Sequence, residues 1–140
     1  MIMPPDDPAF SRGLDLFNRA HFFDAHEVLE DVWRALPSDS PAQRLLRLQT
    51  QGIVQLAVAF HHQSKSNYVG ARSVLERALR NLEGAEHSFP DLDFERLRAE
   101  LTLWRRFYLD HFERLSERKG NTQDNPGDLA PSLPKITRRR

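Results

Sequence analysis

The chain of 140 residues contains no cysteine. Disulfides, thiolate metal sites and thiol nucleophiles are all excluded, and a reducing compartment suits it. Net charge is absent as well: 20 Lys and Arg balance 20 Asp and Glu. No global pull toward nucleic acid or an anionic membrane follows. The N-terminus, Met1-Ile2-Met3-Pro4-Pro5-Asp6-Asp7, has neither a basic start nor a long apolar stretch, so it does not read as a signal peptide. The longest apolar run, Ile53 to Phe60, is interrupted by Gln55 and is too short to span a bilayer. No segment alternates in the β-branched manner of a strand. Neither a Gly-x-Ser-x-Gly nucleophile turn nor a Gly-rich phosphate loop occurs. The expectation is a soluble, cytoplasmic, helical protein, with neither nucleic acid nor membrane among its partners.

What is present is one domain's worth of chain with nine phenylalanines, enough for a core. The fold expected is all-α, a compact bundle of about five helices with a central apolar helix. Asp6-Asp7-Pro8 opens a first helix through an acidic cap and a first-turn proline. A tight junction near Ala20-His21 leads into a second, from about Phe22 to Leu36. Ser40 and Pro41 are a good cap and first residue for a third, running to about Gln63. Its middle, from Gly52 to Phe60, is apolar on nearly every side, which predicts burial at the centre. The fourth covers Tyr68 to Leu82, with Gly84 as a stop. A loop ending at Asp93 opens the fifth, Phe94 to Leu115. The domain is expected to span residues 1–116. From Glu117 onward six Lys and Arg face three Asp and Glu, and a composition rich in Pro, Asn, Asp and Ser predicts a disordered basic tail over 117–140. Asn18 followed by Phe23 and Ala25 is weakly echoed by Asn67-Tyr68 and Ala71. Two such units make a pair of similar helix contacts, not a repeat array.

The most informative stretch runs from Phe22 to Trp33. His26 and Glu30 are four apart and share one helical face, flanked by Phe22 and Trp33. Glu27 and Asp31 fall further toward solvent. On the third helix Gln51, Gln55 and His62 lie within roughly 40° of one another, a polar stripe on an apolar helix. A short loop favours antiparallel neighbours, so His26 and Glu30 can face Gln51 or Gln55. Three readings stay open. One is a buried hydrogen-bond network, because buried polar groups must be paired. Another is a pocket of His26, Glu27, Glu30, Gln51 and Gln55 for a small polar molecule, or a divalent metal ion held by His26, Glu30 and His62. The sequence from His26 to Glu30 departs from the zinc-protease pattern His-Glu-x-x-His, since Glu30 replaces the second histidine. If there is a reaction, Glu27 or Glu30 is its general base. The last reading is an interaction module, with exposed aromatics such as Phe23 meeting a protein partner or a second copy in a homodimer.

These residues also resemble a known family. Leu16-Phe17-Asn18, the stretch from Phe22 to Trp33, and Leu48-Gln49 followed by Gln51 to Phe60 are similar to the signature of a small bacterial and archaeal family, the domain of unknown function 309. Asn67 and Gly70-Ala71 match its continuation, so the likeness covers roughly residues 10 to 85. It implies a compact all-α fold and no established activity. The family's His-Glu-x-x-Glu and Gln-Gly-x-x-Gln segments fall on His26, Glu27, Glu30, Gln51, Gly52 and Gln55. One departure is visible: the junction that often holds glycine before the aromatic pair holds Ala20-His21.

Overall fold

The computed structural model describes residues 3–117 and 130–139, with side chains through Glu113 and from Ala130 onward. After a 3-10 turn at Pro4–Asp6, the helices are α1 (Pro8–Asn18), α2 (Phe22–Arg34), α3 (Pro41–Ser64), α4 (Tyr68–Asn81), α5 (Ala85–Ser88) and α6 (Phe94–Glu117). The architecture is an all-α bundle. Among the described residues the sole β feature is an isolated antiparallel bridge between Leu92 and Arg138.

Four helices, α1, α3, α4 and α6, start where a side chain caps them. Asp7 accepts from the Ala9 N–H at 2.9 Å ahead of Pro8. Ser40 and Gln43 form a reciprocal capping box around Pro41, which satisfies two orphan donors at once. Asn67 accepts from Gly70 N at 3.0 Å and Asp93 from Arg96 N at 3.0 Å. The one-turn helix α5 is an addition to the five expected elements.

The ends of α1 and α3 are built alike. His21 N donates to Leu16 O and Ala20 N to Phe17 O; Asn67 N donates to His62 O and Ser66 N to Gln63 O. This is the paired hydrogen-bond pattern of a Schellman motif, which needs a left-handed residue just past the helix. Ala20 (φ 65°) and Ser66 (φ 59°) fill that place. Each motif folds the chain back on itself, so α1–α2 and α3–α4 are two antiparallel hairpins. In the register of these turns Asn67 stands where His21 does, Tyr68 where Phe22 does and Ala71 where Ala25 does, so the alanines of the weak echo are equivalent but Asn18 and Asn67 are not.

The core lies between the hairpins and α6. Phe60 sits at its centre, its ring 5.2 Å from Trp104, 5.7 Å from Phe22 and 6.3 Å from Phe17. At one end Phe10 stacks on Phe89 at 5.4 Å. Two glycines permit close helix approach. A Cβ at Gly52 would stand 2.8 Å from Leu82 Cγ and 3.2 Å from the Ala78 carbonyl, and one at Gly13 would stand 2.5 Å from Leu29. α3 is central but not enclosed: Gln51, Gln55, Val58, His61 and His62 stay partly exposed along one stripe, with none of the described residues covering the outer face between α2 and α4.

The tail differs from the expectation over part of its length. Residues 118–129 and 140 lie outside the described residues, but 130–139 are not free. They run as an extended strap over α1, α6 and the loop before α6, with Pro134 and Ile136 buried. Composition averaged across the tail hides the two apolar residues that find this groove. The side chain of Leu115, expected on the inner stripe of α6, also lies outside the described residues. No helix among them is long and apolar enough to cross a membrane.

Candidate functional site

His26 and Glu30 meet as their spacing predicts. His26 Nε2 is 2.9 Å from Glu30 Oε2, and Arg34 donates to Glu30 Oε1 at 2.6 Å. All three lie at i, i+4 and i+8 on α2. Both oxygens of Glu30 are thus engaged on its own helix, and neither His26 nor Glu30 hydrogen-bonds α3. Pairs of this kind on a half-exposed face contribute a few tenths of a kcal/mol each, about 0.3–0.5. Glu27 is exposed.

The polar stripe of α3 fans out to different partners. Gln55 accepts from Asn81 Nδ2 of α4 at 2.8 Å. His62 Nδ1 is 3.2 Å from Asn67 Nδ2; the amide nitrogen donates, so this ring nitrogen accepts. Gln51 lines a cleft shared with Trp33 of α2. The expected convergence of His26, Glu30, Gln51 and Gln55 on one point is therefore not what the structure arranges. The trio of His26, Glu30 and His62 does not assemble either: among the described residues no three His, Asp or Glu side chains stand where they could hold a metal ion. The reason is geometric: i, i+4 pairing on α2 takes up His26 and Glu30, while Gln55 and His62 are taken up by Asn81 and Asn67.

The buried polar glutamine is instead Gln49. Its amide donates to Glu83 O at 3.1 Å and its oxygen accepts from Ser88 Oγ, tying α3 to α5 and the turn before it. Gln63 likewise accepts from Tyr108 Oη at 2.7 Å. Burial holds the Tyr108 hydroxyl well above the usual phenol range, with Tyr68 adding to it. Gln49 shares the helix with four other glutamines, and a single helix cannot announce which of them faces a neighbour's carbonyl.

Two features remain along the outer α2–α3 seam. At one end Phe23, 53% exposed, packs its ring 5.5 Å from His61 and 6.2 Å from His26. Desolvation lowers the His61 pKa, and the positive partners Lys65, His62 and His26 lower it further. At the other end Trp33, Ser38, Arg44, Arg47, Leu48 and Gln51 line a cleft of about 220 Å³. The Arg47 guanidinium lies over the Trp33 ring, 4.4 Å from its centroid. The Trp33 indole N–H is buried and has no acceptor among the described residues. Among the described residues neither Arg44 nor Arg47 meets a carboxylate; Arg44 donates only to Ser38 O at 3.4 Å. The cleft is thus rich in donors and poor in acceptors.

The family match falls on this part of the molecule. Residues 10–74 match the family model of a domain of unknown function, DUF309. The matched segment runs from within α1 through α2 and α3 to the first half of α4, and holds every residue of the cleft. The uncharacterised protein YpuF of Bacillus subtilis (strain 168) is 31% identical over 74 residues, 53% of this chain and 40% of the relative. An uncharacterised protein of Aquifex aeolicus (strain VF5) is 25% identical over 85 residues, 61% of this chain and 24% of the relative. The chain therefore spans less than half the length of either relative. No solved structure matches significantly.

Proposed function

We propose that this protein is a binding module for a small anionic molecule, such as a phosphate or carboxylate compound, seated in the cleft between α2 and α3. The observation that carries this reading is the buried, unpartnered Trp33 N–H beside the Arg47 guanidinium. A buried donor without an acceptor costs about 1–3 kcal/mol, and an anion oxygen would relieve it. Arg44 and Gln51 supply further donors, and a guanidinium fork suits a carboxylate or phosphate. Gln51 is thus the member of the sequence-derived set closest to the ligand. His26 and Glu30 sit further along the same seam and shape its edge. The absence of cysteine suits work in the cytoplasm.

Titration calorimetry with phosphate and with citrate tests this. Saturable binding is expected, lost in Arg47→Glu and unchanged in His26→Ala. No saturable binding of either anion, or equal binding by Arg47→Glu, overturns the proposal.

A further inference from the structure

The segment 130–139 is held in an unusual way: nearly all its partners address its main chain. Asn18 grips Ile136 at two points, its amide donating to the carbonyl at 2.9 Å while its oxygen accepts from the N–H at 2.7 Å. Asp93 N donates to Thr137 O at 2.8 Å, and Arg139 N to Asp91 O at 2.6 Å. The Trp104 indole donates to Ser132 O at 3.0 Å, and Lys135 N donates to Glu100 at 2.9 Å. Main-chain pairing of this kind is how proteins capture extended peptides, with pockets for alternate side chains adding selectivity. Few side chains of the segment are read. Ile136, 2% exposed, enters the core, and Arg138 meets Asp91 at 3.3 Å and Ser11 at 3.0 Å.

The groove is assembled from two distant stretches of chain. Asn18 and Ser11 come from α1, within the matched segment 10–74, while Asp91, Asp93, Glu100 and Trp104 lie beyond it. The occupant lies outside it, and residues 118–129 separate it from the end of α6. The acidic lip of the groove, Asp91 and Glu100, complements a basic peptide.

We propose that this groove is a peptide-docking site, which accepts from a partner protein an extended segment carrying an aliphatic residue followed two positions later by arginine. The chain's own residues 130–139 occupy it as a tethered ligand that such a segment displaces. A tether raises the local concentration of the resident segment to the millimolar range, so the groove binds an outside peptide weakly until the resident anchor is loosened.

The test uses the full chain and a fluorescein-labelled peptide with the sequence of residues 130–139, followed by anisotropy. Ile136→Asp removes the resident anchor. This variant is expected to bind the peptide saturably and at least about tenfold more tightly than the unaltered chain, whose groove is filled. Binding should vanish for a peptide carrying aspartate at its isoleucine, and for the double variant Asn18→Ala, Ile136→Asp. If Ile136→Asp lowers the helical circular dichroism, Arg138→Asp replaces it; this exposed change sets two carboxylates together and must raise peptide affinity above that of the unaltered chain. Equal binding by the altered and unaltered chains, or none by a folded variant, overturns the proposal. So does a concentration-dependent dimer of the unaltered chain that Ile136→Asp abolishes, since the occupant would then be a second copy's strap.

Discussion

Ala20 stands at φ 65°, where a Cβ crowds the following carbonyl and glycine is normally preferred. With alanine in place of glycine, this turn carries strain. Ala20→Gly is expected to stabilise the fold by about 1 kcal/mol, the left-handed penalty less the entropy that glycine adds to the unfolded chain. Urea denaturation reads this as a higher midpoint at unchanged slope. The side-chain contacts at this scale divide clearly. The His26–Glu30 pair was legible because i, i+4 spacing is local geometry. The placing of Arg47 over Trp33 was not, because those residues are fourteen apart and meet only when α2 and α3 pack.

Close helix approach makes Gly52 sensitive at the scale of elements. Gly52→Ala improves helix propensity by about 1 kcal/mol, but its methyl would press on Leu82 and the Ala78 carbonyl. Overpacking costs about 1–3 kcal/mol, and a backbone carbonyl cannot swing aside. A net loss of about 1 kcal/mol is expected, visible as a lower thermal midpoint. A second element-scale link joins α5 to α6. Arg98 donates through both terminal nitrogens to Glu86, and one of them also donates to Leu82 O at 2.9 Å. The Arg98 hydrogen bonds, aided by a backbone N–H, hold the Glu86 carboxyl down at about 2, well below its ordinary 4.5. A carboxyl whose pKa is lower folded than unfolded stabilises the fold above the unfolded value. That contribution is complete above about pH 4.5 and is lost as the pH falls toward about 2. Both partners are about one-third exposed, so solvent screening keeps the effect small. Glu86→Gln should flatten the stability–pH curve across this window and leave its slope near pH 7 unchanged, as followed by denaturation at stepped pH.

At the scale of the molecule, Phe60 joins both hairpins to α6. Phe60→Ala removes contacts with Phe17, Phe22 and Trp104 together. A buried Phe→Ala change costs about 3–5 kcal/mol, against a total stability of about 5–15 kcal/mol for a domain. The variant is expected to unfold at markedly lower urea, with Trp104 fluorescence reporting the loss directly. The strap adds contacts that span the chain from Asn18 to Ile136.

By itself the sequence determined the elements: their caps at Asp7, Ser40, Asn67 and Asp93, the hairpin turns near Ala20 and Ser66, and the all-α class. These follow from interactions between residues a few positions apart, which propensity, capping and periodicity describe. Tertiary structure alone decided which glutamine is buried, that the polar stripe of α3 divides among α2, α4 and the next turn, and that Trp33 shares a cleft with Arg47. It also decided that residues 130–139 are held against α1 and α6. Each of these depends on groups brought together from distant positions, where the order of residues along one helix carries no information about what packs against it.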